Sequence, residues 1–534
     1  MTQTAPRAEA EPAADSPSAG VHAGWGWLCG GIGGVAGIAV ADLTAFVIAP
    51  AGSPVAAVGA TIIDLLPAGL VNWGKETLGT ADKPVLLVII TLGVLALCGL
   101  AGRLEQRRRY AGGLVFAGVA AIGIGAVLTG GQGSPEAIVP TVLGLTVGYL
   151  VLRLLLGRLA DWSSATAPAA GSVTADPLEP MFARRSFLIW TGVVGTLAVA
   201  SAVAGRLLVA TAGAVEEARS RFKLPIPTRR DPVPAGADLT VDGLSPYLTP
   251  NADFYRIDTA LQLPIIAADD WSLTVTGMVD REVTISFADL IAKPLVEHVT
   301  TLTCVSNEVG GDLVGNAVWL GYPIRELLAE AGVQAGADMV LSTSQDGWTA
   351  GTPLAVLTDP NRQALLAVGM NGEALPLEHG YPVRMVVPGL YGYVSATKWV
   401  RRLKVTTFDA DQGYWTPLGW SAKGPIKTAS RIDVPRKRTL DAGQVVVAGV
   451  AWDQHTGIAK VEVGIDDVWH TAELAEVTGP DTWRQWLYRW DATPGTHQVA
   501  VRATNADGQR QTAELARPDP DGATGWHTVT ITVR

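Results

Sequence analysis

Five apolar runs crowd the first two hundred residues, and a bilayer leaves segments of that kind essentially one conformation. They span approximately Gly24–Ile48, Pro84–Gly102, Gly112–Gly131, Ala137–Leu156 and Ser186–Gly205, each near the roughly 20 residues that a helix needs to cross a hydrocarbon core. No water is available there to bond the backbone, so each run must satisfy its own N–H and C=O groups as an α-helix. Asp42 lies in the first run, where a carboxylate at the bilayer centre costs about 2.5–3.5 kcal/mol, but it sits off centre among apolar neighbours that outweigh it. Residues 51–83, with Ile62-Ile63-Asp64-Leu65-Leu66-Pro67, read as an outer loop with a short interfacial helix, a re-entrant helix being the alternative.

Composition agrees with a membrane portion joined to folded domains. The mean hydropathy is +0.26, only 17% of residues are charged, and 534 residues are too many for one domain. A net charge of -10 argues against nucleic acid as a partner. Residues 1–23, rich in Ala, Pro, Glu and Ser, are expected to be disordered.

Arginines set the orientation. Arg103, Arg107, Arg108 and Arg109 follow the second run, and Arg153, Arg158, Arg184 and Arg185 flank the loop between the fourth and fifth, whereas the outer loops carry only Lys75 and Lys83. Positive charge stays inside, so the N-terminus is cytoplasmic and five crossings place everything after Gly205 outside; an even number would reverse this. Ala183-Arg184-Arg185-Ser186-Phe187-Leu188 resembles a twin-arginine export signal, here internal, although two arginines before a span also serve as simple anchors. His22 is the only histidine near the runs, so no haem is expected between them. The membrane part (24–205) reads as an anchor or partner-docking platform in a multi-pass membrane protein, and 206–246, with Pro225, Pro227, Pro232 and Pro234, as an extracytoplasmic linker.

The chemistry centres on a lone cysteine. The chain has three, and Cys29 and Cys98 fall inside apolar runs, leaving Cys304 without a disulfide partner in its own domain. It follows Thr300-Thr-Leu-Thr and precedes Val-Ser-Asn307-Glu308-Val-Gly-Gly311. Beyond come Trp319-Leu-Gly-Tyr-Pro, a short amphipathic helix with Leu327, Leu328 and Ala331 closed by Gly332, then Asp346-Gly347-Trp348, and Asn371 to Gly389 with His379-Gly380-Tyr-Pro and Arg384. Gly392-Tyr393-Val-Ser395-Ala-Thr397-Lys398-Trp399 completes the series. In this order the motifs resemble the molybdopterin domain of the sulfite oxidase family, in its exported bacterial, membrane-anchored form, from about Tyr247 to the C-terminus.

That resemblance implies a mixed α+β molybdopterin domain over 247–410 in which the Cys304 thiolate ligates molybdenum bound by one pyranopterin dithiolene. The residue chemistry suits it independently. A soft thiolate fits a thiophilic metal, while Arg384, Lys398 and the backbone of Gly389–Thr397 suit the cofactor's phosphate end, at roughly 1.5–3 kcal/mol for each charge-assisted bond. The segment Asn251-Ala-Asp-Phe254-Tyr-Arg256-Ile-Asp258 resembles the family's first cofactor-contacting segment. The residues expected at the cofactor are thus Asn251, Phe254, Arg256, Cys304, Asn307, Asp346, His379, Arg384, Gly389, Tyr393, Ser395, Thr397 and Lys398, with Cys304, Asp258 and Arg256 placed nearest the chemistry.

Two departures bear on substrate. Asp258 stands where sulfite-oxidising members carry histidine, and Glu308 follows Asn307 where they carry basic residues. A carboxylate there repels a dianion, which favours a neutral sulfoxide or N-oxide over sulfite. The implied redox partner is a cytochrome or quinone-linked protein.

Residues 411–534 change character. Val445–Val450, Ile458–Ile465, Trp486–Trp490, Val499–Val501 and Val529–Val533 read as short strands between Gly-containing turns, an all-β sandwich resembling the family's immunoglobulin-like dimerisation domain, through which a homodimer is possible. Trp415, Trp420, Trp483, Trp486 and Trp490 read as core or interface anchors, and His455 and His470 as surface histidines. Two other readings stand beside the oxidoreductase: a cofactor-free surface binding module, and a cysteine hydrolase using Cys304 and His379.

Overall fold

The computed structural model describes residues 19–48, 53–66, 70, 77, 82–129, 135–166, 185–186, 188–193, 195–196, 213–260 and 263–534. They divide into two units, Met1–Val209 and Ala210–Arg534.

The first unit is helical. Its elements are α1 (Ala19–Ile48), α2 (Pro54–Leu65), α3 (Asp82–Arg107), α4 (Ala111–Thr129) and α5 (Val139–Thr166). Among the described residues four stretches are long and apolar enough to cross a membrane: Gly24–Ala45, Val85–Arg107, Ala111–Leu128 and Glu136–Ser164. The fifth expected run lies mostly outside the described residues, as does Arg184. Close helix contact follows from missing side chains, since a Cβ on Gly33 would lie 2.7 Å from the Gly148 carbonyl oxygen and one on Gly30 only 2.0 Å from that of Cys98. Buried Glu105 closes the α3–α4 turn by accepting from the N–H groups of Tyr110 (3.0 Å) and Gly112 (2.8 Å), and it ties α5 through Arg153 Nη1 (2.8 Å).

The second unit holds one mixed sheet, one antiparallel sheet and a pair of further sheets that share a core. One sheet runs β2–β1–β10–β5–β6, built from β1 (Ser272–Gly277), β2 (Val283–Ser286), β5 (Met339–Ser344), β6 (Thr349–Pro353) and β10 (Val400–Thr406). The other runs β3–β4–β7–β8, from β3 (Val296–Thr303), β4 (Val314–Pro323), β7 (Leu365–Met370) and β8 (Glu373–Ala374), with β9 (Arg384–Val386) paired to β7. This second sheet is covered on both faces, which is why β7 reads Leu-Leu-Ala-Val-Gly-Met without polar alternation. Leu320, Leu366 and Val368 join the larger core with Leu273, Val340 and Leu403. Leu302, Ala317, Trp319, Leu365 and Ala367 face another, with Phe254 and Tyr381. The expected helix is Ile324–Ala331, buried through Leu327, Leu328 and Ala331 and ended by Gly332 in the left-handed region (φ 73°).

The C-terminal part adds β11 (Ala429–Val434), β12 (Thr439–Leu440), β15 (Val468–Thr471) and β16 (Glu473–Leu474) to five longer strands, in the sheet orders β11–β13–β17–β16 and β12–β19–β18–β14–β15. The alternating runs of the sequence become β13 (Gly443–Trp452), β14 (Ile458–Ile465), β17 (Arg484–Ala492), β18 (Gly495–Asn505) and β19 (His527–Val533). Their inward residues, Val447, Val461, Trp486, Val501 and Ile531 among them, meet in one core. The described portion of the stretch expected as a linker is built into this unit. Thr228 N–H donates to the Leu295 carbonyl (2.7 Å), Arg229 pairs with Val296 beside β3, and Ala237 is fully buried with Trp452 and Trp483.

Candidate functional site

Cys304 is the first residue after β3, on a loop that returns to β4 at Val314. Its N–H donates to the Leu313 carbonyl (2.9 Å), and its own carbonyl accepts from Asn307 N–H (3.1 Å). Asn307 Oδ1 accepts from Leu313 N–H (2.8 Å), so this buried amide shapes the loop. Cys304 is buried and forms no disulfide. Among the described residues no group of three His, Cys, Asp or Glu side chains is placed to hold a metal ion.

Arg384 starts β9 and is 4% exposed. Its guanidinium donates only to main-chain carbonyls, those of Met385 (3.3 Å), His379 (3.2 Å) and Ala396 (3.4 Å), and lies 5.1 Å from the centroid of the Trp319 ring. Among the described residues no carboxylate pairs with it. Burial pulls its pKa from 12.5 to about 10. Lys398 is also buried. Desolvation brings it to about 8 against the attraction of Asp258, whose Oδ2 lies 3.0 Å from Nζ, and the Glu378 carbonyl accepts a second bond at 2.9 Å. Arg256 reaches the same Asp258 oxygen at 3.0 Å from a half-exposed position.

His379 lies between these cations and Phe254. It is 2% exposed. Burial first, then the charges of Arg384 and Lys398, hold its pKa down at about 3, so the ring is neutral. Nε2 lies 3.2 Å from the Asn251 carbonyl oxygen, which can only accept, so the proton is on Nε2 and Nδ1 carries a lone pair. That buried Nδ1 has no hydrogen-bond partner among the described residues. Phe254 packs edge-on to His379 (5.6 Å) and Trp319 (5.8 Å) and stacks on Tyr255 (5.2 Å). Burial, and then the charge of Cys304, push the pKa of the Tyr255 phenol up while Arg384 opposes. The cradle depends on Gly380 (φ 107°), where a Cβ would come within 3.0–3.1 Å of the Cβ atoms of Arg384 and Lys398.

The sequence-derived residues thus separate into two groups. Phe254, Arg256, Asp258, His379, Arg384 and Lys398 gather around one cradle, and Leu302, two residues before Cys304, packs in the same core as Phe254. Asn251 supplies its carbonyl to His379 and is held by Asn371 (2.8 Å) and Glu373 (2.6 Å). Asp346 belongs to the edge of this group, its carboxyl raised by burial and, further down, by the charge of Asp258. The second group is engaged by the scaffold. Tyr393 donates to the Ser421 carbonyl (2.7 Å), Ser395 to that of Tyr391 (2.9 Å), and Thr397 Oγ1 bonds Ser342 Oγ (2.6 Å). Gly389, at φ 81°, makes room for Arg362 Nη1, which a Cβ would approach to 2.3 Å.

Tyr255, Trp319 and Gly380 were not among the expected site residues, though each adjoins one or opens a motif quoted for it. One histidine needs correcting. His455, read as a surface residue, is partly buried with Nδ1 3.1 Å from Asp481 Oδ1. Asp481 also bonds His298 Nε2 (2.8 Å), and His298 Nδ1 meets Asp231. Burial disfavours charge on His298, but the two carboxylates overcome it and raise the pKa to about 9.

Residues 260–415 match the oxidoreductase molybdopterin binding domain. The chain is 28% identical to the human mitochondrial sulfite oxidase over 305 residues, covering 48% of this chain and 55% of that one. It is 36% identical over 154 residues to the uncharacterized oxidoreductase YuiH of Bacillus subtilis (strain 168), covering 29% of this chain and 74% of the relative. Among solved structures, the sulfane dehydrogenase SoxCD of Paracoccus pantotrophus aligns with a TM-score of 0.48 at 24% identity, covering 55% of this chain and 82% of that one. The chain spans about half the length of the mitochondrial sulfite oxidases it matches.

Proposed function

Because the chain belongs to the sulfite oxidase family of molybdopterin-binding oxidoreductases, we propose that it is a membrane-anchored oxidoreductase whose Cys304 thiolate ligates molybdenum. The observation that carries this reading is Arg384, a guanidinium buried without a carboxylate beside an imidazole Nδ1 that is also without a partner. A buried cation is disfavoured unless an anion meets it, and a buried lone pair unless a donor does. A pyranopterin phosphate brings both kinds of group. The donor set therefore fits the cofactor.

Arg384 and Lys398 would hold the phosphate end, His379 Nδ1 would accept from the pterin, and Cys304 would supply the protein's ligand to the metal. When bound, the molybdenum centre supplies two-electron oxygen-atom transfer. The chain's own residues do the rest. Asp258 holds Arg256 and Lys398 in place, and the Phe254 and Trp319 rings keep water from the neutral His379. Asp258 is shared by two of the three cations and neutralises one unit of their charge, the cofactor's phosphate would take up the remainder, and exposed Glu308 lies four residues past the thiol. A dianion gains little attraction there, so the substrate of this proposal is a neutral sulfoxide or N-oxide.

A second reading is sulfite oxidation, favoured by the likeness to sulfite oxidases and by the half-exposed Arg256. Steady-state assays with sulfite against methyl sulfoxides decide between them, and efficient turnover of sulfite removes the first. Metal analysis of purified protein tests both readings against a cofactor-free binding module, and retention of molybdenum by Cys304→Ala overturns the ligand assignment. The domain limits 24–205, 247–410 and 411–534, an extracytoplasmic catalytic unit, a cytochrome or quinone-linked electron partner and an immunoglobulin-like dimerising sandwich belong to the same proposal.

A further inference from the structure

The loop that carries Cys304 is held at both ends by the C-terminal sandwich. Before the cysteine, Gln454 Nε2 donates to the Thr301 carbonyl (3.1 Å) and to Thr303 Oγ1 (2.9 Å), the residue adjoining Cys304. The Trp483 N–H donates to Thr301 Oγ1 (2.7 Å), and Thr301 N–H donates to the Asp481 carbonyl (3.0 Å). After it, Arg431 Nη1 donates to the Gly311 carbonyl (2.8 Å), while Asp433 Oδ1 (2.6 Å) and Ser245 Oγ (2.9 Å) fix the guanidinium. Gly310 (φ 80°) lies so close to His527 of β19 that a Cβ would stand 2.5 Å from the ring. Gln454 is 2% exposed, and the Thr301 carbonyl can only accept, which sets the amide with Nε2 toward β3. The amide Oε1 has no hydrogen-bond partner among the described residues. Gln454 therefore keeps a buried oxygen unsatisfied while both of its bonds go to the strand that ends at the thiol, an arrangement that a purely stabilising side chain would not need.

We propose that Gln454 is a positioning residue for Cys304: the sandwich, through Gln454 before the thiol and Arg431 after it, fixes where the sulfur sits relative to the cradle. The proposal rests on the reading of Cys304 as metal ligand and assigns the sandwich a part in the site besides any part in dimerisation. Its first consequence is visible without the cofactor. With the donor removed, the end of β3 opens more often and the thiol becomes reachable.

The test uses the full-length chain in detergent. Gln454→Met keeps the side-chain length and removes both bonds and the unsatisfied oxygen. Losing a buried hydrogen bond of the usual worth raises the alkylation rate of Cys304 in metal-free protein by roughly fivefold to tenfold, followed on the Cys304 peptide by mass spectrometry. The loaded variant keeps its molybdenum, shifts its sulfur-to-metal absorption, and loses kcat by a similar factor with KM unchanged. Thr303→Val deletes one of the two acceptors from the other side, and it moves alkylation and absorption in the same direction by a smaller factor, so it decides the matter if Gln454→Met does not fold. Parental alkylation together with an unshifted spectrum overturns the proposal. Cys304→Ala separates the two layers: if that variant keeps molybdenum and the spectrum, the ligand assignment fails, whereas unchanged Gln454→Met behaviour beside a metal-free Cys304→Ala defeats the positioning role alone.

Discussion

Arg384→Met makes the sharpest test of the site, because it should move two measurements in opposite directions. In the chain without cofactor, Arg384 is a cation 4% exposed with no carboxylate beside it among the described residues. Its pKa is about 10 against an ordinary 12.5. A base whose folded pKa is depressed destabilises the fold at every pH below that folded value, here by about 3 kcal/mol near neutrality. Its bonds to three carbonyls, all at 3.2–3.4 Å, and the contact with Trp319 offset part of this. Methionine keeps the stem and removes the charge. A net gain of about 1–2 kcal/mol is expected, which in a unit of this size raises the apoprotein Tm by a few degrees.

The cofactor-loaded protein should respond the other way. Each lost charge-assisted bond to phosphate costs roughly 1.5–3 kcal/mol, so losing two of them weakens cofactor binding by at least about a hundredfold. The assays are differential scanning fluorimetry of apoprotein from cofactor-deficient cells and molybdenum content of protein from replete cells. A Tm lowered by several degrees with molybdenum retained would show that the guanidinium is structural and refute the reasoning.

Other expectations follow from the same charges. Lys398 has a folded pKa of about 8 against 10.5, so the unfolded chain binds more protons between those values and apoprotein stability rises with pH across that window. In Lys398→Met the urea midpoint should lose this rise. His298 has the opposite sign: raised from 6.5 to about 9, its contribution of at most about 3 kcal/mol is complete below pH 6.5 and disappears as pH climbs through 9. His298→Asn should therefore lower the urea midpoint strongly at pH 6 and little at pH 9.5, and equal losses at both would exclude a charged histidine between Asp231 and Asp481.

What could be read in the sequence was what depends on local repetition. Twenty apolar residues in a row specify a helix wherever they stand, so four of the expected runs match described helices to within a few residues at most ends, α3 and α5 running further at theirs. Alternation placed β14 at the bounds it has and β13, β17, β18 and β19 within longer strands. The cradle was legible through motif resemblance, because His379, Arg384 and Lys398 fall within twenty residues on neighbouring turns and strands. Gln454, Arg431 and His455 were not. Gln454 meets Thr301 across 153 positions and Arg431 meets Gly311 across 120, contacts that exist only once distant parts of the second unit have packed together. Nothing in a period of two or 3.6 residues reports that, and so His455, next to a Thr-Gly turn, read as a surface residue.

The two buried cations show how a cradle of this kind discriminates its ligand. Lys398 has its anion already, in Asp258, so bringing phosphate to it adds little new charge pairing. Arg384 has none, and its desolvation is an unmet cost of folding the apoprotein, one that only an arriving anion relieves. Affinity for the anionic end of a ligand then resides mainly in Arg384, and geometry in Lys398, whose ammonium is fixed by Asp258 and the Glu378 carbonyl. A fold that carries such a cost has to be held together elsewhere. Here the imidazolium of His298, between Asp231 and Asp481, joins the segment before β1, the strand that leads to Cys304 and the sandwich. The same strand thus leads to the thiol and bears the bond that keeps three parts of the unit in register, which places the determinants of site geometry outside the residues that touch the ligand.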